Sequence, residues 1–163
     1  MNRFVYEISS CEDGAFFKRL LEQGLAQKYY LCVVEREWAL KQGKLLLDRL
    51  RGFSVAANEV QVWPGTEYSG SDRVIFHIFR ICESLINTIL QTVSTPTGFG
   101  RDLGIEDLSL LYPTGEAYFM STTHEHFCCI SVFPQEVESI SKDLGVSVEL
   151  VGENLTDISY LPG

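Results

Sequence analysis

Apolar residues recur at two different periods along the chain, and these periods predict its secondary structure. Where they alternate with polar residues, or form a short run flanked by turn residues, the pattern is typical of a strand. Strands are predicted over 3–8, 26–34, 54–63, 73–81, 106–112, 116–132 and 146–151. Where apolar residues recur every three or four positions, the pattern predicts a helix. Helices are predicted over about 37–51, 82–93 and 134–144, with a first helix that follows 9–13 and ends at Gly24.

These elements alternate only irregularly, which favours an α+β fold over a parallel α/β fold. We expect a mainly antiparallel, twisted sheet with about four helices packed on it. A length of 163 residues is that of one domain, so residues 1–163 are predicted to form a single unit. Residues 152–163 are predicted to form an irregular C-terminal tail.

The stretch 106–133 is predicted to be a long hairpin around which the other elements are arranged. Pro113, Thr114 and Gly115 reverse the chain, because proline presets one turn dihedral and glycine tolerates a positive φ. The return strand, 116–132, is long enough that we expect a bulge or bend within it. This strand carries two of the three histidines and two of the five cysteines.

Two kinds of chemistry are conceivable on the return strand, centred on residues 124–129. His124, His126 and Cys128 share one face if the strand is regular, and imidazole and thiolate are good zinc ligands. A small Cys/His enzyme is the other hypothesis, with Cys128 or Cys129 as nucleophile and His77 from a neighbouring strand as base. The plainer interpretation is that all of them are sheet-face residues with ordinary hydrogen bonds, and we predict neither a catalytic set nor a cofactor.

A glycine-rich loop, 94–104, separates the third predicted helix from the hairpin. It contains three glycines and a proline, and such loops often carry function. The loop lacks the G-K-[ST] signature of a phosphate loop. A small-molecule binding module with this loop as a lid is therefore a further hypothesis.

Net charge limits the classes of partner. The formal charge is −9 and the pI is about 4.8, so binding to nucleic acid or to an anionic membrane is disfavoured. No apolar run has the length of a membrane helix and the N-terminus does not resemble a secretory signal, so we expect a cytoplasmic location. Five cysteines at irregular spacing argue against a disulfide framework.

Four segments in order resemble an uncharacterised family of small bacterial proteins. They are V-W-P-G-T-E (62–67), E-D-L-S-L-L (106–111), P-T-G-E-A-Y-F (113–119) and S-T-T-H-E (121–125). Small acidic proteins of this kind often act as immunity partners of polymorphic toxins. The resemblance implies structural roles for Trp63, Glu106, Asp107, His124 and Glu125, while Cys128, Cys129 and the chain after Pro134 lie outside it.

Together these observations predict a non-enzymatic acidic interaction protein, such as an immunity protein that binds and neutralises a basic toxin domain. Its contact face is predicted to combine carboxylates with aromatic anchors. The residues assigned to this face are Glu59, Trp63, Glu67, Tyr68, Asp72, Glu106, Asp107 and Glu116. The sequence leaves the oligomeric state open.

Overall fold

The predicted strands form an antiparallel sheet in the computed structural model, which describes residues 1–100, 102–153 and 158–163. The strands of the described residues are β1 (Phe4–Ile8), β2 (Tyr30–Arg36), β3 (Ser54–Glu59), β4 (Val62–Trp63), β5 (Thr66–Glu67), β6 (Val74–Arg80), β7 (Ile105–Leu111), β8 (Ala117–Thr122), β9 (Phe127–Val132) and β10 (Val148–Glu153). The helices are α1 (Gly14–Ala26), α2 (Lys41–Leu50), α3 (Glu83–Thr92) and α4 (Val137–Leu144). The predicted α+β class is confirmed.

Within the described ranges, eight strands make one sheet in the order β10-β1-β9-β8-β7-β2-β6-β3, and every neighbouring pair is antiparallel. All four helices pack on one face of this sheet, where they bury residues such as Phe16, Leu50, Ile89 and Leu144. The other face has a smaller apolar cluster, which is covered by the β4–β5 hairpin and by Tyr160 and Leu161 near the C-terminus. The elements therefore form a single domain with two unequal apolar layers.

Two strands end earlier than their patterns indicate. The predicted strand 54–63 stops at Glu59, because Val62 and Trp63 leave the sheet and pair with Thr66 and Glu67 instead. The return strand 116–132 divides into β8 and β9, which are joined by a 3-10 turn at Thr123–Glu125. His126 follows this turn with φ +50°, a left-handed conformation outside the region of regular extended strands. The expected bend is thus a complete reversal of the chain.

Other boundaries differ by a few residues. Helix α1 begins after Asp13, whose carboxylate accepts a hydrogen bond from the backbone N–H of Ala15, and it continues past Gly24. The last strand extends to Glu153, two residues into the predicted tail. Residues 154–157 of that tail lie outside the described residues, and 158–163 form neither helix nor strand.

Three tyrosines on the helical side, two of them buried and Tyr112 partly buried, give a pH-dependent prediction. The rings of Tyr29, Tyr112 and Tyr118 lie with centroids 4.8–5.4 Å apart. Burial raises the pKa of Tyr29 to about 12, and it raises the pKa of Tyr112 and of Tyr118 still further above the usual value. An ionised phenolate is costly at such a site, because it would lose its hydration.

We therefore expect the free energy of unfolding to fall as the pH rises above about 10. The unfolded chain releases these phenolic protons near pH 10 while the folded chain retains them, so the stabilisation is complete below that pH and is lost above it. Absorbance near 295 nm, followed against pH in the native and urea-unfolded protein, measures the difference. Superimposable titration curves for the two states would contradict the burial of these rings.

Candidate functional site

A buried aspartate joins three segments that are far apart in the sequence. The carboxylate of Asp107 accepts hydrogen bonds from Nε1 of Trp63, at 2.9 Å, and from the backbone N–H of Thr123, at 2.8 Å. The backbone N–H of Asp107 donates in turn to Oγ1 of Thr123, also at 2.8 Å. These bonds tie the β4–β5 hairpin and the turn between β8 and β9 to the start of β7.

The conformation of Asp107 explains how neighbouring acids enter the interior together. Its φ is +51°, and the pairing of β2 with β7 shifts register beside it, between Cys32 and Val34. Such an irregularity redirects side chains that regular alternation would separate. Consequently Glu106 and Asp107 are both buried, with 1% and 4% of their surface exposed.

The second of these acids, Glu106, lies between a histidine and an arginine. Its Oε1 is 2.8 Å from Nε2 of His124, and its Oε2 is 3.7 Å from a guanidinium nitrogen of Arg36. Despite that short distance, Oε1 accepts no hydrogen bond from any described residue, so the imidazole N–H is not aimed at it. Arg36 also lies 3.7 Å from the Asp72 carboxylate and stacks over the ring of Tyr68.

We call this set the buried acid cluster: Trp63, Glu106, Asp107, Thr123 and His124, with Arg36. It brings together residues from three of the four segments that carry the family resemblance. Sequence reasoning missed Thr123 and Arg36. Thr123 lies inside the S-T-T-H-E segment and was thus within reach, whereas no local pattern marks Arg36 as the partner of an acid 70 positions later.

The predicted contact residues are placed in three different environments. Glu59, Glu67 and Asp72 are exposed and Tyr68 is partly buried. Trp63, Glu106 and Asp107 are buried, so they serve the interior and do not present a surface to a partner. Glu116 lies at the other end of the sheet, where its carboxylate contacts Arg3 and Thr114.

The proposed zinc ligands are not brought together. His124 and His126 lie in the turn before β9, whereas Cys128 is buried within that strand. Nδ1 of His126 is 2.6 Å from the carboxylate of Glu12, and His124 contacts Glu106. Within the part of the chain that the structure describes, no group of three or more His, Cys, Asp or Glu side chains is arranged to hold a metal ion.

The hypothesis that His77 acts as base for Cys128 or Cys129 disagrees with the distance between them and with the ionisation of both thiols. His77 lies on β6, and three strands separate β6 from β9, which places it about 19 Å from Cys128 across the sheet. A hydrogen bond with the Cys11 thiol, together with burial, raises the pKa of Cys128 well above its usual value. Burial raises the pKa of Cys129 to about 12. Neither thiol is therefore activated as a nucleophile.

The glycine-rich loop lies beside residues 123–126, the turn between β8 and β9 that carries His124 and His126 and that we call the histidine turn. A cavity of about 380 Å³ is lined by Thr97, Gly98, Phe99, Gly100, Asp102, Thr123, His124 and His126. The side chain of Phe99 is fully buried, so it anchors the loop to the domain. The described part of the loop is thus held against the turn.

Charged side chains divide unequally between the two ends of the sheet. One end, which we call the acidic end, consists of 9–13, 37–40, 59–73, 94–100, 102–104 and 123–126, together with the start of α2. Its exposed acids among the described residues are Glu12, Asp13, Glu37, Glu59, Glu67, Asp72, Asp102 and Glu125. Its described bases are Lys41, Lys44 and Arg73, with Arg36 mostly buried beneath them.

The opposite end of the sheet is balanced in charge. Its described acids are Glu83, Glu116, Glu136 and Glu153, and its described bases are Arg3, Lys28, Arg51 and Arg80. The acidic end also exposes apolar side chains: Trp38 has 41%, Leu40 has 48% and Val62 has 44% of its surface exposed. The opposite end likewise exposes apolar side chains, among them Met1 and Val55, so the two ends of the described structure differ in their excess of acids and not in apolar exposure.

Comparison of the chain with models of known protein families, with curated proteins and with solved structures finds no match. Among the described residues, no helix combines the length and the apolar character needed to cross a membrane.

Proposed function

We propose that this protein is a non-enzymatic interaction protein whose acidic end binds a basic protein domain, such as a toxin that it neutralises. The observation that carries the proposal is the concentration of exposed carboxylates at one end of the sheet. The opposite end, in the described residues, has as many bases as acids. A one-sided negative field accelerates encounters with a basic partner and orients it before contact.

Exposed apolar residues at the acidic end supply the apolar contact area for binding affinity that carboxylates alone do not provide. Rim charges act mainly on association rate, whereas affinity comes from a few large side chains that become fully desolvated. Trp38 is suited to that role, since it lies on a loop and is 41% exposed. Leu40 and Val62 extend the apolar surface nearby. Trp38 thus replaces the buried Trp63 as the aromatic anchor of the proposed face.

The buried acid cluster supports the same face from below. It connects two segments of the acidic end, 59–73 and 123–126, through the buried start of β7. Binding loops that are fixed before contact lose less conformational entropy on association. The cluster therefore acts in this proposal as a frame for the loops.

Affinity capture from native lysate, with a series of salt washes and identification by mass spectrometry, tests the proposal. We expect a basic protein to be retained at low salt and released as salt rises. A variant with six exposed acids changed to amides (Glu12, Glu59, Glu67, Asp72, Asp102 and Glu125) should associate about tenfold or more slowly with that protein. Trp38→Ala should mainly accelerate dissociation.

The matched control changes the four acids of the opposite end, Glu83, Glu116, Glu136 and Glu153, to glutamine. This control should bind as the unmodified protein does, and circular dichroism should show that all variants remain folded. The proposal is wrong if the acidic-end variant retains its association rate, or if the control loses as much as the acidic-end variant does.

A further inference from the structure

A groove separate from the acidic end lies on the helical side of the sheet, where α2 passes over β6 and the edge strand β3. It encloses about 420 Å³, which is within the range of about 300–1,000 Å³ usual for small-molecule sites. Its lining residues are Glu35, Lys44, Leu47, Asp48, Arg51, Ser54, Ala57, His77 and Phe79. The groove exists because β3 is an edge strand that extends beyond the helical layer, so its helix-facing side is mostly uncovered.

Some charged groups of the groove have hydrogen-bond or ion-pair partners and others do not. Oε2 of Glu35 and Nε2 of His77 are joined by a hydrogen bond of 2.7 Å, and both side chains are at least four-fifths buried. The carboxylate of Asp48 is paired with Arg51. Lys44, in contrast, makes no ion pair with any described residue. Among the described charged groups that line the groove, the Lys44 ammonium is therefore the one without an ion-pair partner, and its charge is positive.

Apolar atoms lie beside this ammonium group. Leu47 projects from α2, Ala57 belongs to β3, and Phe79 lies two residues from His77 on the same face of β6. The rings of His77 and Phe79 are nearly parallel, with an interplanar angle of 3° and centroids 5.9 Å apart. The bond to Glu35 fixes the imidazole, so its ring is a rigid part of the wall and not a mobile side chain.

We propose that this groove binds a small aromatic carboxylate. The carboxylate would pair with the Lys44 ammonium, and the ring would lie against Leu47, Ala57 and the fixed imidazole of His77. An anion is favoured over a cation because both groove carboxylates already have cationic or N–H partners. A flat apolar body is favoured over a sugar because two aliphatic side chains and two rings form most of the remaining wall.

The test is a ¹H–¹⁵N NMR titration of the whole protein with 2-naphthoate and with its uncharged analogue 2-naphthalenemethanol. We expect naphthoate to shift the amide signals of β3, β6 and α2 around the groove in a saturable manner. The uncharged analogue should bind at least about fivefold more weakly, because it lacks the charge that pairs with Lys44.

Two substitutions on the same helix separate a specific site from general charge attraction. Lys44→Gln should weaken naphthoate binding at least about fivefold, whereas Lys41→Gln, which removes the same charge from the same helix outside the groove, should not change it. Both positions are exposed, so both variants should fold. The proposal is overturned if naphthoate produces no saturable shifts at the groove, or if the two variants weaken binding equally. Neither outcome bears on partner binding at the acidic end.

Discussion

Asp107→Ala is expected to lower the free energy of unfolding by about 3–5 kcal/mol. The substitution removes the acceptor of two buried donors, Nε1 of Trp63 and the backbone N–H of Thr123. Each buried donor left without a partner costs about 1–3 kcal/mol. Alanine must also adopt the φ of +51° found at this position, which L-residues other than Asn and Asp rarely do. Urea denaturation followed by tryptophan fluorescence measures the loss.

Three further variants separate the loss of the hydrogen bonds from the cost of the positive φ at position 107. Asp107→Gly removes the carboxylate but tolerates the positive φ, so it should be less destabilising than Asp107→Ala. Asp107→Asn keeps the preferred conformation and one acceptor oxygen, and we expect about half the loss. Asp102→Ala, at an exposed acid on the nearby loop, should change stability by less than about 0.5 kcal/mol. If Asp107→Ala were as mild as Asp102→Ala, the buried hydrogen bonds would be disproved.

Gly43→Ala is expected to destabilise the protein by about 2–4 kcal/mol, although alanine is the better helix former. A β-carbon on Gly43 would lie 2.0 Å from the carbonyl oxygen of Leu103 and 3.0 Å from Cγ1 of Ile105. That carbonyl also accepts the hydrogen bond of the Leu40 N–H at 3.1 Å, so the backbone cannot move away without breaking it. The clash therefore outweighs the gain of about 1 kcal/mol in helix propensity.

Gly52→Ala is the matched control, because a β-carbon there would have no neighbour within 4 Å. We expect its stability to lie within about 0.5 kcal/mol of the unmodified protein. Thermal unfolding by circular dichroism distinguishes the two variants directly. A Gly43→Ala protein that is more stable than the parent would mean that helix propensity dominates, and that α2 does not pack closely against 103–105.

Both predictions concern contacts that connect the glycine-rich loop to the rest of the domain. Gly43 allows α2 to approach the end of that loop, and Asp107 follows it by three residues. The same contacts hold two proposed binding surfaces, since α2 forms one wall of the groove and the loop belongs to the acidic end. Mild variants at these positions should consequently alter binding as well as stability.

Local pattern determined the sheet-forming and helix-forming segments with few errors. Strand β6 was identified because both of its faces are apolar, and α3 because Leu85, Ile86 and Ile89 recur at helical spacing. These features depend on neighbours within a few positions, so a single sequence contains them. The order of the strands in the sheet could not be predicted from the sequence, because long-range pairing depends on which apolar faces match in three dimensions.

The buried acid cluster shows why the candidate site was only partly predictable. Acidic residues are almost never fully buried without partners, so sequence reasoning placed Glu106 and Asp107 on the surface. Their partners come from the turn after β8, from Arg36 and from Trp63. A buried carboxylate is acceptable only when all such groups converge, and convergence is a property of the folded chain.

By itself, the sequence determined the α+β class, the approximate elements and the excess of acidic residues, because these follow from composition and short-range periodicity. Only the tertiary structure decided where the acidic residues lie. Most of the loop acids lie at one end of the sheet, Glu106 and Asp107 are buried in the interior, and Glu35 lines the groove, where it pairs with His77. The tertiary structure also separated the histidines from Cys128, because the left-handed turn at His126 reverses the strand that would have aligned them. The physical reason is that charge and metal-ligand geometry are set by contacts between residues distant along the chain, which alternation within one strand does not encode.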